Sequence, residues 1–330
     1  MRITLVTIVA AALVAVSAPA MAQRQPFERA IDVSGQSALD VSTIRGKIDV
    51  RGGAPGKIVV SGLVTIRVGW DVPADAVEIM RRVAEHPPIE IDGNTVRLRP
   101  PSDDVARRAV TVSYEVQVPP DTQVLALSDS GATTVSGVGG SVDATTQSGA
   151  IALERLGSTA RIKTGSGAVT VADVADDLSV TTSSSAVTAR GLQGDVRVRT
   201  GSGAVDARLT GGGDVDVETS SSAIKLCGAA GGLNAASSSG HISIQGTPAR
   251  PWAATTGSGG MDIGIDASAP VALNVSSRSG KVRLNAALVQ GSVSERRVDG
   301  TIGGGGPLLR AESGSGSIDL VSIDARRGCR

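Results

Sequence analysis

Thr164-Gly-Ser-Gly-Ala-Val169, Thr182-Ser-Ser-Ser-Ala-Val187 and Thr200-Gly-Ser-Gly-Ala-Val205 are three copies of one signature. The same signature stands earlier as Ser-Asp-Ser-Gly-Ala from Ser128 and Gln-Ser-Gly-Ala-Ile from Gln147. It returns as Thr-Ser-Ser-Ser-Ala-Ile from Thr219, with weaker copies at Ser237, Thr256 and Ser277. Marking each copy at its last small residue gives Gly131, Gly149, Gly167, Ser185, Gly203, Ser222, Gly240, Gly259 and Gly280. The steps between them are 18, 18, 18, 18, 19, 18, 19 and 21 residues. A repeat this regular is the signature of stacked structural units, each of which buries its apolar face against its neighbours.

Counted from the mark, positions two and four are apolar: Ile151 and Leu153, Val169 and Val171, Val187 and Ala189, Val205 and Ala207, Ile224 and Leu226. Positions eleven and thirteen are apolar as well: Val142 and Ala144, Ala160 and Ile162, Leu178 and Val180, Val196 and Val198. The pairs mostly flank a polar residue, so both side chains of a pair face one way along a strand. A further apolar column holds Val138, Leu156, Val174 and Leu192. The expected unit is therefore strand, turn, strand, turn. The expected fold is all-β: a single-chain right-handed parallel β-helix with coils of about 18 residues.

The register also predicts what faces outward. Arg197 and Arg199 fall one layer from Asp216 and Glu218, with Asp195 beside Asp214. A hydroxyl column, Thr146, Thr164, Thr182, Thr200, Thr219, Ser237 and Thr256, precedes each mark and reads as turn chemistry: an inward oxygen that caps backbone amides where a Cβ is unwelcome.

Outward from the repeats the chain is less regular. Residues 1–22 read as a secretory signal peptide: Arg2, an apolar run from Leu5 to Val16, and an Ala20-Met21-Ala22 cleavage site. The run is too short to span a bilayer and no later stretch is long enough, so the mature chain is expected in the periplasm or secreted. Residues 23–125 form an N-terminal β section with one short amphipathic helix at 73–86, expected to cap the open end of the stack. Residues 126–320 hold the repeats and 321–330 a flexible tail. Ser313-Gly-Ser-Gly-Ser-Ile-Asp-Leu repeats the signature and is expected two coils beyond Ser277.

Composition excludes several functions. Lys plus Arg and Asp plus Glu are both 32, so nothing favours nucleic acid. Phe27, Trp70, Tyr114 and Trp252 are the only aromatic residues, which fits a core too thin for rings. Two cysteines, Cys227 and Cys329, are placed about five coils apart by simple sequential stacking, so a disulfide between them is not expected. Two histidines, His86 and His241, and two cysteines lack the spacing of a metal site. No catalytic, cofactor-binding or metal-binding residue is assigned.

Four patterns in the sequence carry a functional reading beside plain surface chemistry. Asp214 and Asp216 point the same way, as the acid and base of a polysaccharide-cleaving solenoid would, but arginines of the adjacent coil oppose them. Gly211-Gly-Gly-Asp214 and Gly259-Gly-Met-Asp262 resemble fragments of a calcium β-roll without its Asp every nine residues. The outward column Thr134, Ala152, Thr170, Thr188, Asp206, Lys225 begins like an ice-binding array and breaks off. Ala132, Ala150, Ala168, Ala186, Ala204 and Ala223 form a small-residue stripe that serves corner packing or a flat contact.

Ser42-Thr-Ile-Arg-Gly-Lys-Ile-Asp-Val50, Val116 to Pro120 leading into the first signature, and the repeated Ser-Gly-x-Val/Ile units together resemble a bacterial group of adhesin-like β-solenoid proteins of the DUF4097/DUF2807 type, classed as domains of unknown function. The resemblance implies an exported β-helix without established enzymatic activity. The expected function is a non-enzymatic envelope protein presenting an extended surface to an envelope protein or polysaccharide; the alternative is a carbohydrate-active β-helix enzyme.

Overall fold

The computed structural model describes residues 24–69, 72–285 and 290–323. The signal segment, Trp70 and the residues from 324 on, Cys329 among them, lie outside the described residues.

The N-terminal section comprises β1 (Arg24–Asp32), β2 (Ala38–Thr43), β3 (Ile48–Gly52), β4 (Lys57–Ile66), α1 (Ala76–Glu85), β5 (Ile89–Asp92), β6 (Thr95–Leu98), α2 (Asp104–Ala109) and β7 (Val110–Val118). The repeats supply β8 (Gln123–Ser128), β9 (Thr133–Ser136), β10 (Val142–Thr146), β11 (Ile151–Leu156), β12 (Ala160–Thr164), β13 (Val169–Val174), β14 (Leu178–Thr182) and β15 (Val187–Leu192). They continue as β16 (Val196–Thr200), β17 (Val205–Leu209), β18 (Val215–Thr219), β19 (Ile224–Ala229), β20 (Leu233–Ser237), β21 (Ile242–Gly246), β22 (Trp252–Thr256) and β23 (Met261–Asp266). Last come β24 (Val271–Ser277), β25 (Val282–Asn285), β26 (Gln290–Val293), β27 (Arg297–Ile302), β28 (Leu308–Ser313) and β29 (Ile318–Ile323).

These strands make two long sheets. Sheet A runs β1-β4-β7-β3-β9-β11-β13-β15-β17-β19-β21-β23-β29-β25, and sheet B runs β26-β27-β24-β28-β22-β20-β18-β16-β14-β12-β10-β8-β2-β6-β5. From β8 to β23 successive strands alternate between the sheets and pair in parallel with the strand one coil away, as the 18-residue period requires. Val169, Val187 and Val205 stand in single file. The file extends through Ile151, Thr133, Ile48 and Tyr114 at one end and Ile224, Ile242, Met261 and Ile318 at the other. Both inward rows are buried along the whole stack and form one continuous core.

The corner before sheet A is built as its sequence implies. In nine coils the Ser or Thr hydroxyl accepts a hydrogen bond from the backbone N–H of the marked residue three positions on, at 2.7–3.1 Å. Several of these hydroxyls donate in turn to a carbonyl of the adjacent coil, as Thr256 does to Gly240 at 3.1 Å. The coils approach closely there: a Cβ on Gly167 would lie 1.7 Å from the carbonyl oxygen of Gly149, and one on Gly203 1.7 Å from that of Ser185.

The structure departs from sequential stacking at both ends. β28 lies between β22 and β24, and β29 between β23 and β25. The coil carrying Ser313 is therefore not two coils beyond Ser277; it is inserted one layer before it. Side-chain bonds mark the order, Ser313 donating to the Gly259 carbonyl at 3.0 Å and Ser277 to the Gly316 carbonyl at 2.8 Å. The antiparallel ribbon β26-β27 closes β24 from the far side. At the N-terminal end β7 is likewise inserted between β3 and β4, pairing parallel with one and antiparallel with the other. Identical strand edges make such insertions possible, because any coil offers the same ladder to any other.

This order corrects the cysteine estimate. β29 is three layers from β19, roughly 14 Å at ~4.8 Å per layer, where about five coils were expected. Cys227 is disulfide-bonded.

The helical content is also richer than expected. α1 starts at Ala76, not Pro73, whose carbonyl instead accepts the Ala76 N–H at 3.1 Å. A second helix, α2, was not foreseen; Asp103 caps it by accepting the Ala106 N–H at 3.0 Å. α1 buries Ala76, Ile79, Met80 and Ala84 and packs on β1, β4 and α2. The buried residues of β1 are Phe27 and Ile31, both on its inner face, so α1 covers the inside of sheet A where sheet B has ended. It sits at the N-terminal end of the stack.

Rings do enter the core, contrary to the composition argument. Tyr114, Trp252 and Phe27 are buried. Phe27 and Tyr114 meet edge to face at 6.3 Å, over Gly62, where a Cβ would lie 1.9 Å from the Phe27 ring. The Tyr114 hydroxyl donates to the Arg99 carbonyl at 2.7 Å, and the Trp252 indole N–H to the Gly231 carbonyl at 2.9 Å.

Candidate functional site

The outer face of sheet B from β10 to β20 forms the floor of an open groove of about 950 Å³. Alternation sends every second residue of these strands outward, so the coil repeat lays out columns. One column reads Asp143, Arg161, Ser179, Arg197, Asp216, Asn234, and the next reads Thr145, Lys163, Thr181, Arg199, Glu218, Ala236.

The charges are matched across the layer step as the register predicts. Arg197 Nε is 3.4 Å from Asp216 Oδ2, and Arg199 reaches Asp216 at 3.0 Å while also pairing with Glu218. Asn234 donates to the other Asp216 oxygen at 2.9 Å. Arg161 lies 3.5 Å from Asp143. Exposed pairs of this kind contribute about 0.2–1 kcal/mol each; their larger effect is to fix the positions of the side chains.

One wall is an aspartate ladder. Asp177 Oδ1 accepts the backbone N–H of Asp195 at 2.9 Å, Asp195 Oδ1 that of Asp214 at 2.7 Å, and Asp214 Oδ1 that of Gly232 at 2.6 Å. Arg250 then pairs with the second Asp214 oxygen at 2.9 Å. Sequence reasoning placed Asp195 beside Asp214 but missed this capping role and Arg250. The signal was present in the Asp that precedes the second strand of three successive coils.

Asp214 and Asp216 therefore face the same groove, but each carboxylate is held by arginine and by an amide donor. The groove floor here is a fixed, charge-paired surface. His241 Nε2 lies 3.0 Å from Asp262 Oδ2 on the outside of sheet A, and His86 ends α1, its N–H bonded to the Arg82 carbonyl. The two glycine-aspartate fragments do not converge: Asp214 pairs with Arg250 and Asp262 with His241. Among the described residues no group of three or more His, Cys, Asp or Glu is placed to hold a metal ion. Thr134, Ala152, Thr170, Thr188, Asp206 and Lys225 do form one outward column of sheet A. The alanine stripe is exposed along the corner, its carbonyls accepting ladder bonds from the adjacent coil.

Away from the groove, Asp49 is a buried carboxylate on the outer face of β3. Burial pushes its pKa up, but hydrogen bonds from Lys47 at 2.7 Å and Arg51 at 3.0 and 3.1 Å outweigh that and hold it below the ordinary aspartate value.

Parallel coils with a Ser/Thr–Gly corner define a repeat protein of the β-solenoid class. Residues 115–321 match the family model described as Toastrack DUF4097, and the chain belongs to that family. A solved structure of a candidate cell adhesion protein from Clostridium sporogenes aligns over 91% of this chain and 100% of its own, at 10% identity and a TM-score of 0.19, a likeness too slight to argue from. No curated protein matches. Among the described residues no helix is long and apolar enough to cross a membrane.

Proposed function

We propose that this chain is an exported, non-enzymatic envelope protein whose groove on sheet B is an extended binding surface. The observation that carries the reading is the groove itself. Six coils hold ordered charged and hydroxyl side chains on a rigid sheet, with the carboxylates locked by arginines instead of poised for chemistry. The leader at residues 1–22 supports export to the periplasm or beyond. In this reading residues 23–125 serve as the closing section, 126–320 as the scaffold and 321–330 as a tail, and the partner is an envelope protein or polysaccharide.

The test is a pull-down from envelope extract with the mature chain, run beside an activity screen on a polysaccharide panel. Capture of a partner that is lost when Arg197 and Arg199 are both changed to Glu supports binding. Turnover of any polysaccharide, abolished by Asp214→Asn or Asp216→Asn, would replace this reading with an enzymatic one.

A further inference from the structure

We propose that the groove binds an acidic glycan, and that a single carboxylate of that ligand sits over Ser179 and Thr181. The inference rests on the reading of sheet B as the binding face and names its ligand.

Ser179 and Thr181 lie on β14, midway between two cationic rows; Ser179, Arg161, Arg197 and Arg199 line the groove, and Thr181 and Lys163 stand in the adjoining outward column at its edge. Arg161 and Lys163 stand one layer to one side and Arg197 and Arg199 one layer to the other, all in strict register. The arginines lean away from this centre, onto Asp143 on one flank and onto Asp216 and Glu218 on the other. Their remaining N–H groups are free to face inward, since a guanidinium has five donors. Lys163 has no ion pair among the described residues, and neither hydroxyl has a hydrogen-bond partner there. An anionic oxygen placed over the two hydroxyls would gain charge-assisted bonds from both sides without breaking an existing pair.

The flanks decide what kind of anion fits. The cationic strip is only three layers deep, roughly 10 Å from β12 to β16. Beyond it Asp214, just before β18, and Asp216 and Glu218 on β18 present a negative row, and Asp177 and Asp195 edge the centre itself. A densely charged polymer such as nucleic acid would run onto those carboxylates, and the groove has no ring for base stacking. A ligand with one acidic group among many hydroxyls meets no such conflict. Its hydroxyls can donate to the outlying carboxylates and bond with Asn234. That description is a uronate borne by neutral sugars, and a groove of about 950 Å³ is large enough for several sugar units.

The experiment is calorimetric titration of the mature chain with three probes: xylotriose carrying one glucuronate, neutral xylotetraose, and oligogalacturonate with an acid on every sugar. The first should bind about tenfold or more tightly than either other probe, with affinity falling as salt rises. Lys163→Glu should lower that affinity about tenfold, while Lys225→Glu on sheet A, checked with it for an unchanged circular dichroism spectrum, should leave it alone. Equal binding of the neutral probe, tighter binding of oligogalacturonate, indifference to Lys163→Glu, or no binding at all would each overturn the proposal. In any of those cases, a partner captured from envelope extract through Arg197 and Arg199 would leave the broader reading standing.

Discussion

Gly306 lies against the carbonyl of Pro270: a Cβ at 306 would stand 2.1 Å from that oxygen. This is where the chain leaves β27, passes the start of β24 and lays β28 into the slot beneath it. Gly303, Gly304 and Gly305 all have positive φ, at 61°, 89° and 87°, which glycine adopts without strain. Gly306→Val should therefore cost about 2–3 kcal/mol by forcing backbone apart. The loss should be local. Hydrogen exchange should show amides of 271–285 and 290–323 losing protection while those of β10 to β20 keep theirs. A uniform loss across the stack would mean that the inserted coil is not a separate unit.

The tight corner makes a second prediction. From Gly131 to Gly259 no two successive coils place a Cβ at the mark: Ser185 and Ser222 each lie between glycines. Gly203→Ser would put three serines in a row where the carbonyl of Ser185 is 1.7 Å from the added Cβ. It should lower the thermal midpoint markedly, by about 2 kcal/mol of stability or more. Ser185→Gly, which removes a buried hydroxyl without a partner, should be close to neutral.

Arg155 and Asp173 adopt φ of 54° and 56°, in the column where Gly137 and Gly191 stand at 66°. A left-handed non-glycine residue costs about 1–2 kcal/mol. Arg155→Gly should raise stability in denaturant titration by about 1 kcal/mol, less the small contribution of the exposed Arg155–Glu154 pair. A destabilised variant would contradict the strain assigned to this column.

Asp49 supplies a pH-dependent test. Its folded pKa lies below the unfolded one, so its contribution is complete above the ordinary aspartate range and is lost as pH falls through the folded value. Asp49→Asn should be less stable than the native chain at pH 7, with the gap narrowing below pH ~4. A gap that stays constant down to pH ~2 would show that the Lys47 and Arg51 bonds are not its source.

Much of this architecture is legible in the sequence because its period is short and its columns are clean. The pairing of Arg197 with Asp216 follows from counting alone, and so does the hydroxyl corner at Thr164 or Thr200. What counting cannot supply is the order of layers. Ser313 carries the same signature as Ser277, which fixes its turn but not its neighbour, since every coil edge offers the same hydrogen bonds. α2 escaped notice because Asp104–Ala109 is a single short turn-and-a-half between prolines and a strand. The buried rings run against the composition argument because the room for a ring is made by a partner, as Gly62 makes it for Phe27, that only the fold reveals. In the groove the charged flanks follow from the register, while Ser179 is distinctive only in the fold, as a bare hydroxyl between the ion-paired Arg161 and Arg197.

The layer order is tested most directly by engineered cysteine pairs on the outer face of sheet B. Ala253 and Arg310 are register partners on β22 and β28, and Arg310 is in turn the partner of Asn274 on β24. Ala253→Cys with Arg310→Cys should form a disulfide on mild oxidation. Ala253→Cys with Asn274→Cys should not, because the two positions stand two layers apart, roughly 10 Å, beyond the ~7 Å reach of the bond. The reverse outcome, a bond from 253 to 274 and none from 253 to 310, would mean that the coils stack in simple chain order and that the inserted coil does not exist.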